Sequence, residues 1–402
     1  MTGTIIFAGG GSGGHIFPAL AIAEQVRLIA DETGEKQPRL VFVCSDRPLD
    51  QKILTDAKVS FVASPAKPVI ASPKGLLKFV RSWRPAVRAG RRLLGDAKKL
   101  GPVHVCALGG FVAAPMVRAA EREQVGVTMV NLDAVPGKAN RWIGPRTQRV
   151  FTATRVKNLG TRTPAWEPIP PIVRVSAASV CDRVECRRRL GITAECGVLV
   201  VTTGSQGLRS VNDFVTAFAG SPEGRGVLAG GGPGWHVLHQ TGKNLDEAVR
   251  AAYAAAGVRA TVVPFTDSMA DWWGAADVAV ATAGAGNVAE VWCNRVPTLF
   301  LPYPHHKDQH QKFNALPLEE AGGVIIATDQ INAAENTEAN GPLLASLLRD
   351  SSRRAAMRAA LDQLGPADGA ARVARALLDA VQEPGAAPRT PASGASAPAI
   401  SR

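Results

Sequence analysis

The sequence predicts an α/β protein of two Rossmann-like domains, each a parallel sheet with helices on both faces. Three observations carry this expectation. Short β-branched runs lead into glycine-rich turns and then into helical patterns; the series starts afresh near residue 198; and a proline-rich stretch separates the two series.

Taken in order, strands are expected at Thr4–Phe7 before Gly9–Gly14, and at Val103–Leu108 before Gly109–Gly110. In the second series they are expected at Val198–Val201 before Gly204–Gly207, and at Val278–Ala281 before Gly284–Gly286. Between the series, TPAWEPIPPIV at 163–173 holds four prolines, which exclude a regular helix and a central strand and make it the candidate hinge. The last residues, 383–402, are rich in Pro, Ala and Ser with no apolar period, and cannot offset their ordering entropy. The expected organisation is a domain at 1–165, a second at 166–382 and a disordered tail at 383–402.

Charge is uneven along the chain. Residues 1–165 carry 25 basic and 11 acidic side chains, and residues 166–402 carry 21 and 23. The first domain therefore owns an electropositive surface, suited to nucleic acid, anionic lipid or a diphosphate. Six cysteines show no CxxC pair, which reads as a reducing compartment and no structural zinc. The uncharged stretch Ile5–Ala23 has no preceding Lys or Arg and is interrupted by glycines, so it is not read as a signal peptide. No segment supplies the ~18 apolar residues of a spanning helix, and membrane contact is expected to be peripheral.

Gly9–Gly14 satisfies GxGxxG between a strand and a helix, a pattern shared with dinucleotide-binding oxidoreductases. The acidic companion is expected about 20 residues later, but the first candidate ending the next strand is Asp46, roughly 30 residues on. From the residues alone this loop is either a bare tight turn or a phosphate or substrate loop. His15, next to the glycines, sits at a helix start, where it acts either as a general base or as a packing residue. In the second domain Gly204-Ser205-Gln206-Gly207 suits a diphosphate. Gly284-Ala285-Gly286 leads a helix carrying Glu290, a carboxylate able to accept both hydroxyls of a ribose. The bland alternative, a solvated helix face, is disfavoured by its neighbours Val288, Val291 and Trp292.

These runs together resemble the bacterial MurG family, N-acetylglucosaminyltransferases with the two-Rossmann GT-B fold that convert lipid I to lipid II. The likeness spans residues 4–325. It rests on GGGSGGHIFPALAIAE (9–24), LGGFVAAP (108–115), DAVPGKANR (133–141), GSQG (204–207), VVPFTDSMADWWGAADVAVATAGAGNVAE (262–290) and PYPHHKDQHQKFNALPLEEAGG (302–323). The resemblance implies an α/β GT-B fold whose two domains face a central cleft. It places His15 at the acceptor side and counts Ser12, Gly13 and Gly14 among the donor-binding residues. Phe265 and Thr266 would hold uracil, Glu290 ribose, and Ser205, Gln206 and Arg174 the diphosphate, with Gly284, Ala285 and Gly286 beside it. His310 and Gln311 would hold the sugar hydroxyls. Two helix N-termini and an arginine can stabilise departing UDP, and no Asp-x-Asp motif is present to bind a metal. No cofactor is expected.

The chain departs from the family pattern at Val130-Asn131-Leu132-Asp133, at Pro170-Pro171-Ile172-Val173-Arg174 and at Thr282. Asp133 is accordingly a second candidate catalytic group. Two other readings stay open: a related UDP-sugar transferase with another acceptor, and a silent nucleotide-sugar-binding relative.

Residues 74–99 carry nine Lys or Arg and one acid among apolar residues at helical spacing, with Pro85 expected to mark a break. Such a segment is either a membrane-surface helix or one whose apolar stripe faces its own core. The resemblance favours a membrane patch of Leu76, Phe79, Val80, Trp83, Arg88, Arg91 and Arg92. The expected partners are UDP-N-acetylglucosamine, an undecaprenyl-pyrophosphoryl-linked acceptor, an anionic membrane surface and cell-wall synthesis proteins. The expected location is the cytoplasmic face of the inner membrane. Nucleic acid is not expected, because no aromatic stacking platform accompanies the basic run.

Overall fold

A computed structural model describes residues 3–11, 13–156, 166–204, 207–230 and 234–382. The chain forms two compact units. One runs through Arg174 and takes back the helix Gly369–Gln382; the other spans Val175–Ala367.

In the first unit the strands are β1 (Thr4–Gly9), β2 (Arg39–Ser45), β3 (Phe61–Ser64), β4 (Val103–Gly109), β5 (Gly126–Asn131), β6 (Arg149–Thr152) and β7 (Glu167–Pro168). All pair in parallel, in the order β3-β2-β1-β4-β5-β6-β7. Alternate residues of β1 feed opposite faces, as the two-residue period of a strand requires. Ile5 and Phe7 pack with the helices Gly13–Thr33 and Gly369–Gln382, whereas Ile6 and Ala8 pack toward Pro73–Lys98 and Gly110–Arg122.

In the second unit the strands are β8 (Gly197–Thr202), β9 (Trp235–Gln240), β10 (Arg259–Val263), β11 (Val278–Ala281), β12 (Thr298–Phe300) and β13 (Val324–Ile326). These too are parallel, ordered β10-β9-β8-β11-β12-β13. Leu199 and Val201 meet Phe214, Phe218 and Tyr253 on one face, and Val198 and Val200 meet Trp272 and Trp273 on the other. Burial on both faces explains why these strands read as unbroken apolar runs.

Four sequence-based expectations are corrected. The first unit extends to Arg174 rather than 165, because Trp166, Ile169 and Ile172 bury their side chains in its core. Glu167 and Pro168 pair with β6 at the sheet edge, where a proline costs no ladder bond, so the described part of the candidate hinge is packed structure. The helix Gly369–Gln382 belongs to the first unit, since Val373, Leu377, Leu378 and Val381 bury against that sheet and Gly369 N–H donates to the Pro171 carbonyl at 3.2 Å. Each such burial contributes about 1.5–3 kcal/mol, and periodicity alone cannot say which sheet receives it. The helix Pro73–Lys98 runs on through Pro85, with Ser72 capping its start by accepting the Gly75 N–H at 3.1 Å. The expected tail, 383–402, and residues 163–165 lie outside the described residues.

Candidate active site

In a doubly wound parallel sheet, ligands bind beyond the carboxyl ends of the two strands from which the chain winds in opposite directions. Here those pairs are β1 and β4 in the first unit, and β8 and β11 in the second. Each of the four glycine loops found in the sequence follows one of these strands.

In the first unit the helices after β1 and β4 begin at Gly13 and Gly110, so their first backbone N–H groups have no intrahelical partner. Both carry proline at the sixth position, Pro18 and Pro115, which leaves the carbonyls of Gly14 and Phe111 without the usual helical donor. Gly110 adopts φ 73°, and a side chain there would strike the Gly10 carbonyl and come within 3.1 Å of the His15 ring. The two loops therefore close around His15. Ser12 lies outside the described residues.

His15 has its ring Nδ1 buried and without a hydrogen-bond partner among the described residues. Burial holds its pKa below the ordinary histidine value, opposed in part by the charge of Asp133, the Leu108 carbonyl and the charge of Asp50. The ring is thus neutral at pH 7, the form a general base needs. Asp133 stands half-buried on the turn after β5, close enough for its charge to act on His15. The two candidate catalytic groups lie at the carboxyl edge of the first sheet, within reach of each other's charge. Asn131 fixes that turn: its Nδ2 donates to the Asp133 carbonyl at 2.7 Å, and its Oδ1 accepts from Asn140 at 3.0 Å.

Arg174, expected at the diphosphate, closes the first unit. Its Nε lies 3.3 Å from Glu24 Oε1, and its guanidinium lies 5.7 Å from the centre of the Phe17 ring.

In the second unit Gly204 and Gly207 take φ 79° and 75°, which glycine adopts without strain. Side chains at Gly204, Gly284 and Gly286 would meet nothing within 4 Å, so these backbones face open space. Ser205 and Gln206 lie outside the described residues. Gly284 caps the helix Ala285–Asn294, whose first turn includes Ala285 and Gly286 and which carries Glu290. The half-buried Glu290 accepts the indole N–H of the buried Trp273 at 2.7 Å, which rules out the solvated-face reading. Phe265 is 51% exposed, and the Thr266 N–H donates to Gln240 Oε1 at 3.3 Å. The Gln240 Nε2 reaches the Gly204 carbonyl at 3.5 Å, so one buried amide ties the expected uracil segment to the expected diphosphate loop. His310 Nδ1 pairs with Asp308 at 2.8 Å, and Gln311 Oε1 accepts the Tyr303 N–H at 2.8 Å. The amine end of Gln311 remains the end that can donate to a hydroxyl.

The description Glycosyltransferase family 28 N-terminal domain matches residues 5–152, and Glycosyltransferase family 28 C-terminal domain matches residues 198–372. A protein of Sorangium cellulosum, named UDP-N-acetylglucosamine–N-acetylmuramyl-(pentapeptide) pyrophosphoryl-undecaprenol N-acetylglucosamine transferase, is 32% identical over 391 residues, 95% of this chain and 89% of its own length. A protein of the same name from Symbiobacterium thermophilum is 30% identical, across 93% of this chain and 95% of its own length. The chain belongs to the MurG family.

Its fold agrees. The crystal structure of Acinetobacter baumannii MurG superposes with a TM-score of 0.66 at 22% identity, covering 95% of this chain and 99% of that one. The calicheamicin glycosyltransferase CalG4 follows at 0.59 and 16%, over 94% and 99%.

Sequence reading of this MurG-family chain missed Asp50, Asn131, Gln240 and Trp273. Asp50, Gln240 and Trp273 act through partners 17 or more residues away, whereas Asn131 acts on Asp133, two residues on. The only local signal was a polar residue ending an apolar strand, at Asn131 and Gln240; Asp50 and Trp273, on helices, gave none. Among the described residues one group has metal-ligand types together, Cys181, Cys186 and Asp271, with ligand atoms within 4.8 Å of one another. Asp271 is already paired there with Arg189 at 3.3 Å. No described helix is long and apolar enough to cross a membrane.

Proposed function

We propose that this chain transfers N-acetylglucosamine from UDP-N-acetylglucosamine to lipid I, forming lipid II, by a single inverting displacement. The observation that carries the reading is Glu290, held by Trp273 beside the open Gly204 and Gly284 loops, in a chain of the MurG family. Glu290 receives the ribose hydroxyls, Phe265 and Thr266 the uracil, and the N–H groups at Gly204–Gly207 and Gly284–Gly286 the diphosphate. Ser205, Gln206 and Arg174 are assigned to the same diphosphate. His310 and Gln311 take the sugar hydroxyls. Backbone donors aimed at the departing UDP stabilise the charge that develops as the anomeric bond breaks. In the first unit neutral His15 accepts the proton of the attacking acceptor hydroxyl.

A second reading, a different acceptor, is favoured by Asp133, whose carboxylate accepts hydrogen bonds but cannot donate as an amide does. The helix Pro73–Lys98 supports peripheral attachment at an anionic membrane on the cytoplasmic side. Its C-terminal half buries Val87, Leu94 and Ala97, while Leu76, Leu77 and Val80 at its start stay exposed beside its cations. Phe79 and Trp83 are half-buried, their rings 5.8 Å apart.

The test is transfer from radiolabelled UDP-N-acetylglucosamine to lipid I in detergent, with the product separated as lipid II. Donor hydrolysis with no labelled lipid would overturn the reading. Transfer only to another lipid would establish the second.

A further inference from the structure

We infer that Asp50 is the positioning residue of the first glycine loop, clamping the Gly11 peptide so that the helix start and His15 meet the acceptor in one fixed arrangement. This rests on the proposed transferase reading for its effect on rate, but not for the clamp itself.

Asp50 lies on the short helix Pro48–Asp56 and is fully buried. Its Oδ2 accepts three hydrogen bonds: from Gly11 N–H at 2.7 Å, from Ser45 Oγ at 2.6 Å and from Ser45 N–H at 3.2 Å. Ser45 ends β2, the strand beside β1, so one carboxylate joins the ends of two neighbouring strands. The other side of the Gly11 peptide is held too, since Arg47 donates to the Gly11 carbonyl at 2.6 Å while its guanidinium lies over the Phe111 ring. Gly11 is thereby fixed at φ 92°, with Phe111 filling the space a side chain would need. Gly10 has the same cause: a side chain there would lie 2.8 Å from both Asp50 Oδ2 and the Ser45 nitrogen. Within the run that looked like a dinucleotide fingerprint, Gly11, one of its fixed glycines, and Gly10 beside it are shaped by a buried acid. A charged acceptor suits this place, because hydrogen bonds to a carboxylate are about twice as strong as neutral ones.

Asp50 also reaches the reaction through its charge. The charged groups acting on His15 are Asp133, from the turn after β5, and Asp50; both favour the imidazolium against burial. Removing the Asp50 charge lowers the His15 pKa further, and keeping it while disturbing the clamp does not. That separates the two roles.

The experiment compares Asp50→Asn, Asp50→Glu and Ser45→Ala with the parent protein. Amide hydrogen exchange of peptides covering residues 4–20 needs no activity, and is expected to quicken in Asp50→Asn. Exchange as slow as in the parent would overturn the clamp, whether or not the chain proves to be a transferase. In transfer assays Asp50→Asn is expected to lose roughly tenfold to a hundredfold in turnover, the scale of a slight misplacement of catalytic groups. The acid limb of its pH profile should move to lower pH. Asp50→Glu and Ser45→Ala should lose rate with that limb unmoved. A lowered melting temperature with unchanged rate and profile would reduce Asp50 to a structural residue and refute the inference. If Asp50→Asn does not fold, Ser45→Ala decides by the same exchange readout.

Discussion

The Trp273 indole donates to Glu290 at 2.7 Å across 17 residues, from a helix that packs under the second sheet to a helix that starts at its carboxyl edge. Trp273 is 1% exposed and cannot turn away, so it sets the direction of the carboxylate. Glu290→Ala is expected to weaken UDP binding by about 1.5–3 kcal/mol, the scale of hydrogen bonds to a charged group. Trp273→Phe, which keeps the ring and deletes the N–H, should weaken it by less. Calorimetry with UDP measures both, and unchanged affinity in Glu290→Ala would remove the ribose assignment.

His15→Ala should leave UDP affinity in the second unit unchanged and lower turnover by about a hundredfold or more, as for a lost general base. A loss confined to donor affinity would return His15 to a packing role.

Asp133→Asn puts an amide at this position and removes a charge that favours the protonated form of His15. If Asp133 tunes the acceptor site, the variant transfers to lipid I faster than the parent and its acid limb shifts to lower pH. Abolished transfer would make Asp133 the catalytic carboxylate, and an unchanged rate would show that it does not touch the acceptor.

Attachment to anionic vesicles should fall when Leu76, Leu77 and Val80 are changed to serine, since each exposed apolar side chain adds about 1.5–3 kcal/mol when buried. Arg88→Glu and Arg92→Glu should weaken it further and reduce its salt sensitivity. Arg91 pairs with Glu123 at 2.6 Å, so changing it would also break a surface ion pair, worth about 0–1 kcal/mol. Sedimentation with anionic and neutral vesicles checks this; equal binding to both would refute the membrane face.

Acid should destabilise both units through buried histidines. Burial lowers His104 to about 4 and His239 to about 3; the latter is held between Tyr253 at 2.9 Å and Asn212 at 3.0 Å. The unfolded chain binds these protons near pH 6.5 and the folded chain does not, so their contribution is complete above about 6.5 and is lost as pH falls toward the folded values. Each contributes a slope of up to about 1.4 kcal/mol per pH unit. Urea unfolding at pH 7.5, 6 and 5 should show the decline, and His239→Gln should flatten it. Stability constant from pH 7.5 to 5 would contradict the burial argument.

The sequence alone determined the two Rossmann-like units, the four strand–glycine–helix turns and the family, because these depend on local order: β-branched runs, glycines free of Cβ constraints, and motifs a few residues long. Thr4–Phe7, Val103–Leu108, Val198–Val201 and Val278–Ala281 all lie within observed strands. Tertiary structure alone decided what depends on partners far along the chain. It placed the helix Gly369–Gln382 on the first sheet, carried Pro73–Lys98 unbroken through Pro85, and brought Asp50 under Gly11 and Trp273 to Glu290. An amphipathic stripe states that a helix buries one face without saying against what. A buried carboxylate or indole reveals its role only when folding brings its partner within hydrogen-bond reach.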